Sequence, residues 1–319
     1  MVDLADIPVI GAAETARLLP YGALADALHE GHRARPTETR RLVYGPADSD
    51  QTLMLLPAWD PGSSLGVKLV TVFPRNPERG LASVQAVYVL FDGVTGSPVA
   101  FIDGTELTYR KTAASSALAS RMLSRADSGT LLMVGAGALA PHLVAAHHVV
   151  RPSIERVLVW NRTSERARAL AAAVGGTPVV DLETAVREAD IVSTATMSKH
   201  PLIDGAWLRP GTHLDCVGAF LPDRREIDDE CVRRADIYVD SPAALEEPGD
   251  LVIPIASGVI RAADIRGDLY DLCRGDVPGR TDPDAITLFE SLGGGHLDLM
   301  TARALHTRRP ANPAPGGPT

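Results

Sequence analysis

Apolar positions recur at helical spacing over residues 12–32, and Pro20 interrupts the stripe where a second helix can start. From residue 52 the pattern turns β-like, with strands expected at 52–56, 66–74, 83–92 and 99–103 and a turn at Asp92-Gly93. Residues 105–125 predict a loop followed by a helix, whose Ala and Ser run over 113–120 lets it pack closely on a neighbour. Short apolar strands then alternate with helices. Strands are expected at 131–134, 157–160, 177–180, 191–195, 212–217 and 237–239, and helices up to about 150, over 164–173 with Ser164 as cap, and over 182–188. Wholly apolar strands of this length belong to a parallel sheet covered on both faces. Residues 285–305 predict a returning helix packed on the first domain, and the Pro-, Gly- and Arg-rich tail 307–319 predicts disorder.

The stretch 130–163 carries the sharpest pattern. Gly135-Ala136-Gly137-Ala138-Leu139-Ala140 is a Gly-x-Gly-x-x-Ala turn between an apolar strand and an apolar helix, and a second strand ends at Asn161-Arg162-Thr163. This is the βαβ unit of a dinucleotide-binding Rossmann domain. Gly135 permits the tight turn, Gly137 lets a pyrophosphate approach the backbone, Ala140 keeps helix and strand close, and the helix N-terminus faces the phosphates. Thr196-Met197-Ser198 closes the strand ending at 195, where a doubly wound sheet places cofactor contacts. The fold class is α/β: a Rossmann domain over 115–289 plus a smaller α+β domain built from 1–114 and 290–306.

A chain of 319 residues exceeds what one core usually serves, which agrees with two domains. With 31 basic and 40 acidic residues the net charge is −9, which argues against general affinity for nucleic acid or an anionic membrane. Cys216, Cys231 and Cys273 are far apart without metal-type spacing, so no metal site is expected and the thiols point to a reducing compartment. The N-terminal segment lacks a signal-peptide pattern and no apolar run is long enough to cross a bilayer, so a cytoplasmic protein is expected.

The end of the second strand sets the cofactor's flavour. NAD-binding units place Asp or Glu there for the ribose hydroxyls. Asn161, Arg162 and Thr163 instead offer an amide, a guanidinium and a hydroxyl, which suit a 2′-phosphate, so NADPH is expected over NADH. Lys68 is a single lysine among apolar strand residues; it sits either on the wet face or in a cleft, where it becomes a carboxylate anchor or proton donor. Arg110 and Lys111 lie at the expected start of a helix, where positive charge opposes the dipole unless an anion is bound. Arg41, Lys68 and Lys111 are the candidates for a basic pocket that takes a small carboxylate. His142, His147 and His148 read as packing or surface residues.

Residues 41–300 resemble the ornithine cyclodeaminase/mu-crystallin family. The matching motifs are Gly66-Val67-Lys68-Leu69-Val70, Ser83-Val84-Gln85, Asp103-Gly104-Thr105-Glu106-Leu107-Thr108, Thr112-Ala113-Ala114, the glycine turn, Trp160-Asn161-Arg162-Thr163, Gly218-Ala219 with Pro222-Asp223-Arg224-Arg225-Glu226, and Phe289-Glu290-Ser291-Leu292-Gly293. The resemblance implies a homodimer joined through the first domain with the C-terminal helix, and a substrate pocket between the domains. It implies that Arg41 and Lys68 hold a substrate carboxylate. Lys111 stands where the family normally has Arg, with Arg110 just before it, which leaves open which of the two binds. The cofactor contacts expected on this basis are Thr112, Gly135, Ala136, Gly137, Ala138, Leu139, Asn161, Arg162, Thr163, Arg166, Thr196, Met197, Val217 and Ser291.

Members that cyclise ornithine carry an acid two positions after the Gly218 site; here that position is Phe220. The chain therefore resembles the ketimine reductases, which reduce Δ1-pyrroline-2-carboxylate and Δ1-piperideine-2-carboxylate to proline and pipecolate. Rival expectations are an open-chain amino-acid dehydrogenase or N-alkyl amino-acid reductase, then an ornithine cyclodeaminase, then a non-catalytic NADPH- or ligand-binding protein.

Overall fold

A computed structural model describes all residues except 1–3, 35–36, 40, 47, 49 and 311–319. In chain order the elements are β1 (Val9–Ile10), α1 (Ala12–Leu18), α2 (Tyr21–Arg33), β2 (Glu38–Thr39), β3 (Leu42–Tyr44), β4 (Thr52–Asp60), β5 (Ser64–Val72), β6 (Val84–Asp92), β7 (Pro98–Asp103) and α3 (Gly104–Leu123). Then follow β8 (Thr130–Val134), α4 (Ala140–Val150), β9 (Arg156–Trp160), α5 (Ser164–Val174), β10 (Thr177–Pro178), α6 (Leu182–Glu188), β11 (Ile191–Thr194) and β12 (His213–Cys216). The chain ends with α7 (Asp229–Arg234), β13 (Ala235–Val239), α8 (Gly249–Ala256), β14 (Ile265–Asp268), α9 (Leu269–Arg274), β15 (Ile286–Glu290) and α10 (Gly295–Arg308). These elements form two compact units, one from residues 1–20, 37–108 and 294–319, the other from 21–36 and 109–293.

The first unit is a mostly antiparallel sheet in the order β1-β7-β6-β5-β4-β2, with β3 also paired to β4 and only β1 running parallel to its neighbour. Its strands alternate between faces, as a period of two requires. Leu56, Lys68 and Tyr88 are cross-strand partners on the buried face, and α10 lies against β4, β5 and β6. On the opposite face Leu53, Trp59 and Val87 are exposed. Gly66 fits only without a side chain, because a Cβ there would overlap the Tyr88 hydroxyl.

The second unit holds an all-parallel sheet in the order β10-β9-β8-β11-β12-β15-β13-β14. Chain direction along the sheet reverses between β8 and β11, the switch point at which doubly wound sheets bind ligands. Leu132 and Val134 pack into one layer with Val186, Ile203 and Cys231, while Leu131 and Met133 pack into the other with Leu143, Val144 and Leu170. The register aligns Val134 with Trp160 and Thr194, Thr194 with Cys216, Cys216 with Glu290, and Glu290 with Val239. The loops that follow these residues therefore emerge along one edge.

Five expectations change. Residues 285–305 are not one helix: the apolar run becomes the fully buried β15 between β12 and β13, and α10 begins only after Gly293-Gly294. A five-residue apolar run does not distinguish strand from buried helix, and tertiary pairing decides. The loop expected at 105 is also absent. Asp103 Oδ1 accepts from the Glu106 N–H at 2.8 Å and the helix starts at Gly104. Arg110 and Lys111 thus lie in its second turn, beyond the reach of the end-dipole conflict. The cap of α5 is Thr163 rather than Ser164, without a side-chain bond, and β10 stops at Pro178. Helix α10 continues through Thr307 and Arg308, while 311–319 of the expected disordered tail lie outside the described residues.

Candidate active site

The glycine turn is built for close approach. Gly135 has φ +108°, and a Cβ there would lie 2.6 Å from the Ala195 carbonyl oxygen, so β8 can enter this turn beside the end of β11 only as glycine. A Cβ on Gly137 would meet nothing within 4 Å, and Gly137 and Ala138 are exposed. Leu139 precedes α4 without a side-chain cap. The Ala140 and His142 N–H groups bond the Gly137 and Leu139 carbonyls (3.1 and 3.0 Å) and Pro141 has no N–H, so it is the exposed glycine turn before the helix that a ligand can approach. These features fit a dinucleotide pyrophosphate.

Asn161 serves differently from its expected role as a phosphate donor. Its Oδ1 accepts from the Ala136 N–H at 3.2 Å and its Nδ2 donates to the Thr163 carbonyl at 3.0 Å. The amide therefore ties the glycine turn to the β9–α5 turn. Arg162, Thr163 and Arg166 are exposed, and their side chains have no hydrogen-bond or ion-pair partner among the described residues. The acid nearest in sequence, Glu165, is paired with Arg168 at 3.2 Å.

On the same sheet edge Met197 is exposed and Val217 is buried. Glu226, fully buried, accepts from the Thr196 N–H (2.5 Å), the Gly218 N–H (2.7 Å) and the Thr194 hydroxyl (2.7 Å), and so clamps the ends of β11 and β12. Gly218 has no room for a Cβ, which would overlap Thr196.

Lys111 and Ser291 converge on Asp240, the residue after β13. Asp240 accepts from the Gly293 N–H and lies 3.5 Å from the Ser291 hydroxyl. Lys111 is buried, with its Nζ 2.7 Å from where a Cβ on Gly293 would sit. Burial pushes the Asp240 carboxyl up to about 6, while the Gly293 bond and the Lys111 charge pull the other way. Thr112 is buried beside Lys111 in sequence. Arg110 is separated from this group: its guanidinium stacks 4.8 Å over Tyr21, whose hydroxyl bonds His142 Nδ1 at 2.7 Å. Adjacent helix positions point about 100° apart, so the two cations of the Arg110-Lys111 pair serve different surroundings.

Behind the edge lies a group of buried acids. Cys216, Asp250 and Glu290 each bring a ligand-type atom within 4.8 Å of the others. Burial raises Asp250 to about 8, with the Glu226 charge adding to it, and burial followed by the Asp250 and Glu226 charges raises Glu290 well above its ordinary value. Neither Glu290 oxygen has a hydrogen-bond partner among the described residues. A carboxyl raised in the folded state contributes stability below the ordinary carboxylate range and loses it as pH rises through the folded value. Melting temperature should therefore fall from about pH 4, where these carboxyls ionise in the unfolded chain, up to about pH 6 for Asp240 and about pH 8 for Asp250, where they ionise in the folded protein. Glu290→Gln should raise it, most at pH 9, by roughly 2–4 °C for each kcal/mol of repulsion removed. Thermal melts at pH 5, 7 and 9 check this; a gain independent of pH would refute it.

In the first unit Lys68 faces inward. It is 4% exposed, and its Nζ lies 3.0 and 2.9 Å from the two oxygens of Asp298, itself fully buried, and 3.3 Å from the Thr108 hydroxyl. Of the two positions open to it from sequence, the wet face is excluded. Arg41, half-buried, enters β3 in the same unit, and Phe220 is half-buried in the second. Asp223, the first acid after Phe220, is exposed and paired with Arg224 (3.4 Å) and Lys199 (3.9 Å).

Asp298, Asp240, Glu226 and Tyr88 were not singled out from the sequence. For Asp298 a signal existed: it shares a helical face with Thr301, Ala302 and Leu305, all buried, and an acid on such a stripe needs a partner. Asp240 follows an apolar strand at the edge where ligands bind. His147, read as packing, is buried and paired with Asp215 at 3.0 Å.

Comparison with known proteins agrees with this geometry. Residues 12–311 match the ornithine cyclodeaminase/mu-crystallin family model. The chain is 45% identical over 290 residues to a Delta(1)-pyrroline-2-carboxylate reductase of Paracoccus denitrificans, covering 89% of this chain and 91% of that protein. The Thermococcus litoralis Delta(1)-pyrroline-2-carboxylate reductase in complex with NADH and L-proline superposes with a TM-score of 0.87 at 29% identity, covering 94% of this chain and 96% of that one. An archaeal alanine dehydrogenase dimer with bound NAD gives a TM-score of 0.87 at 25% identity, with 95% of each chain covered. The chain belongs to the ornithine cyclodeaminase/mu-crystallin family.

Proposed function

We propose that the protein reduces Δ1-pyrroline-2-carboxylate or Δ1-piperideine-2-carboxylate to L-proline or L-pipecolate with NADPH. It is a nicotinamide-dependent oxidoreductase acting on C=N bonds, as the similarity to the reductases named above supports. The observation that carries the substrate class is the surroundings of Phe220. A cyclodeaminase must hold a second ammonium, and burying one without a partner costs several kcal/mol. Phe220 offers no partner, and Asp223 is exposed and already paired. A cyclic ketimine needs only a carboxylate partner, a proton at nitrogen and an apolar wall.

Arg41, Lys68 and Lys111 are the residues we assign to the carboxylate, with Lys68 also holding a proton at Nζ. The Gly135–Leu139 turn, Thr112, Asn161, Arg162, Thr163, Arg166, Thr196, Met197, Val217 and Ser291 are assigned to the cofactor, Asn161 by shaping the turn. A bound reduced nicotinamide supplies the hydride that the C=N carbon accepts. The paired arginines Arg162 and Arg166, without a neighbouring free carboxylate, favour a 2′-phosphate. A screen of NADPH and NADH oxidation with both cyclic imines, pyruvate plus ammonia, and pyruvate plus methylamine tests the reading. Cyclic imines should turn over fastest. Preferred turnover of pyruvate with ammonia would favour the alanine dehydrogenase reading, and ammonia release from ornithine would overturn both.

We also propose a homodimer in a reducing, cytoplasmic compartment. Leu53, Trp59 and Val87 are exposed on one apolar sheet face, and the three cysteines are free and buried. No helix among the described residues is long and apolar enough to cross a membrane. Sedimentation equilibrium should give the dimer mass and Trp59→Asp should weaken it; a monomer at micromolar concentration would refute the dimer.

A further inference from the structure

We infer that Asp298 is the positioning residue that keeps Lys68 protonated for the reduction. The inference rests on the catalytic reading of Lys68 given above. Lys68 is held by groups from four elements: β4 contributes Leu56, β6 contributes Tyr88, α3 contributes Thr108 and α10 contributes Asp298. The Thr108 hydroxyl donates its proton to the Gly104 carbonyl at 2.7 Å, so toward Lys68 it can only accept. The Tyr88 hydroxyl is fully buried and without a hydrogen-bond partner among the described residues; burial, and then the Asp298 charge, push its ionisation well above the usual range, so it stays neutral. His296, also buried, lies two residues before Asp298 on the same helix. Asp298 is thus the negative charge in contact with this ammonium, and the two oxygens it presents at 2.9 and 3.0 Å fix the Nζ position.

A buried lysine surrounded by apolar side chains readily loses its proton, and a carboxylate in contact with it opposes that loss. Reduction of a C=N bond takes up one hydride at carbon and one proton at nitrogen, and the carboxylate of the imine needs a cation beside it. Once Lys68 is neutral its proton is missing and the carboxylate loses one of the three cations assigned to it. Asp298 would not touch substrate; it would act through Lys68.

The test is the pH profile of kcat/KM for Δ1-pyrroline-2-carboxylate with NADPH in the wild-type protein, Asp298→Asn and Asp298→Glu. Asparagine keeps the size and one acceptor but removes the charge. The alkaline limb should move to lower pH by about one to three units in Asp298→Asn, the effect of losing one close opposite charge. Asp298→Glu should restore the limb even if its rate is lower. A fall in kcat/KM by the same factor at every pH, or an unmoved limb in a folded Asp298→Asn, would overturn the inference and leave Asp298 a structural residue. Nitrogen-15 NMR titration of Lys68 Nζ in the substrate-free protein, assigned with Lys68→Met, separates this from the proposed function. If the wild-type protein reduces no imine, that function fails, yet Lys68 should still deprotonate at lower pH in Asp298→Asn. The same titration in wild type and variant would overturn the inference independently. Should Asp298→Asn not fold, the Asp298→Glu titration decides: Lys68 must keep its proton to the same pH as in wild type.

Discussion

Replacing Lys68 by alanine is expected to lower kcat/KM for the cyclic imine by roughly 10²–10³, the effect of removing one preorganised charged group from a reaction centre. Cofactor affinity should stay nearly unchanged, because every residue assigned to the cofactor belongs to the second unit and Lys68 to the first. The substitution has a second consequence that the sequence alone does not reveal. Asp298 is fully buried, and the Lys68 ammonium lies 2.9 Å from it. Removing one partner of a buried pair costs about 3–5 kcal/mol, because the other charge is left uncompensated. Lys68→Ala should therefore melt well below wild type, and its kinetics must be read on protein shown to be folded. Lys68→Met with Asp298→Asn removes the charge from both partners at similar volume. That double variant should regain most of the stability and none of the activity. Near-normal turnover in it would reduce Lys68 to a buried structural ion pair.

Arg162→Ala is the next largest effect. Loss of one charge-assisted contact, about 1.5–3 kcal/mol, should weaken NADPH binding ten- to a hundred-fold and leave NADH binding almost unchanged. Arg162 is exposed, and its removal opens no cavity and orphans no acid among the described residues. Stability should thus not move, and titration of cofactor fluorescence reads affinity directly. Arg166, on the first turn of α5, offers a second guanidinium, so Arg162→Ala/Arg166→Ala should widen the difference. Equal losses for the two cofactors would defeat the phosphate assignment. NADH bound in the Thermococcus litoralis relative makes the comparison necessary in this chain.

The glycine turn was legible because its constraint is local. Gly135 adopts a positive φ against the Ala195 carbonyl, and no residue with a Cβ fits there. The strands of the second unit were legible for a related reason, since a sheet covered on both faces writes itself as short apolar runs. Asn161 shows the limit of such reading. Its place at the end of β9 is evident from sequence, but both ends of its amide are used to join two turns, a matter of which loops meet. Phe289 illustrates the same limit for secondary structure: its neighbours read equally as helix or strand until β12 and β13 supply the pairing.

By itself the sequence determined the α/β class, the dinucleotide turn and the candidate cations, because each rests on residue type and near spacing; the weight placed on Phe220 came from the resemblance to the family. Only the tertiary structure decided that Lys68 points inward, since a period-two strand has two faces and local pattern does not say which one is covered. It also decided that Lys111 and Arg110 part company, and that Asp240 and Asp298 stand beside the lysines. Those pairings join residues separated by more than a hundred positions, Lys68 with Asp298 and Lys111 with Asp240. A buried ammonium finds its carboxylate through packing, which chain spacing does not encode.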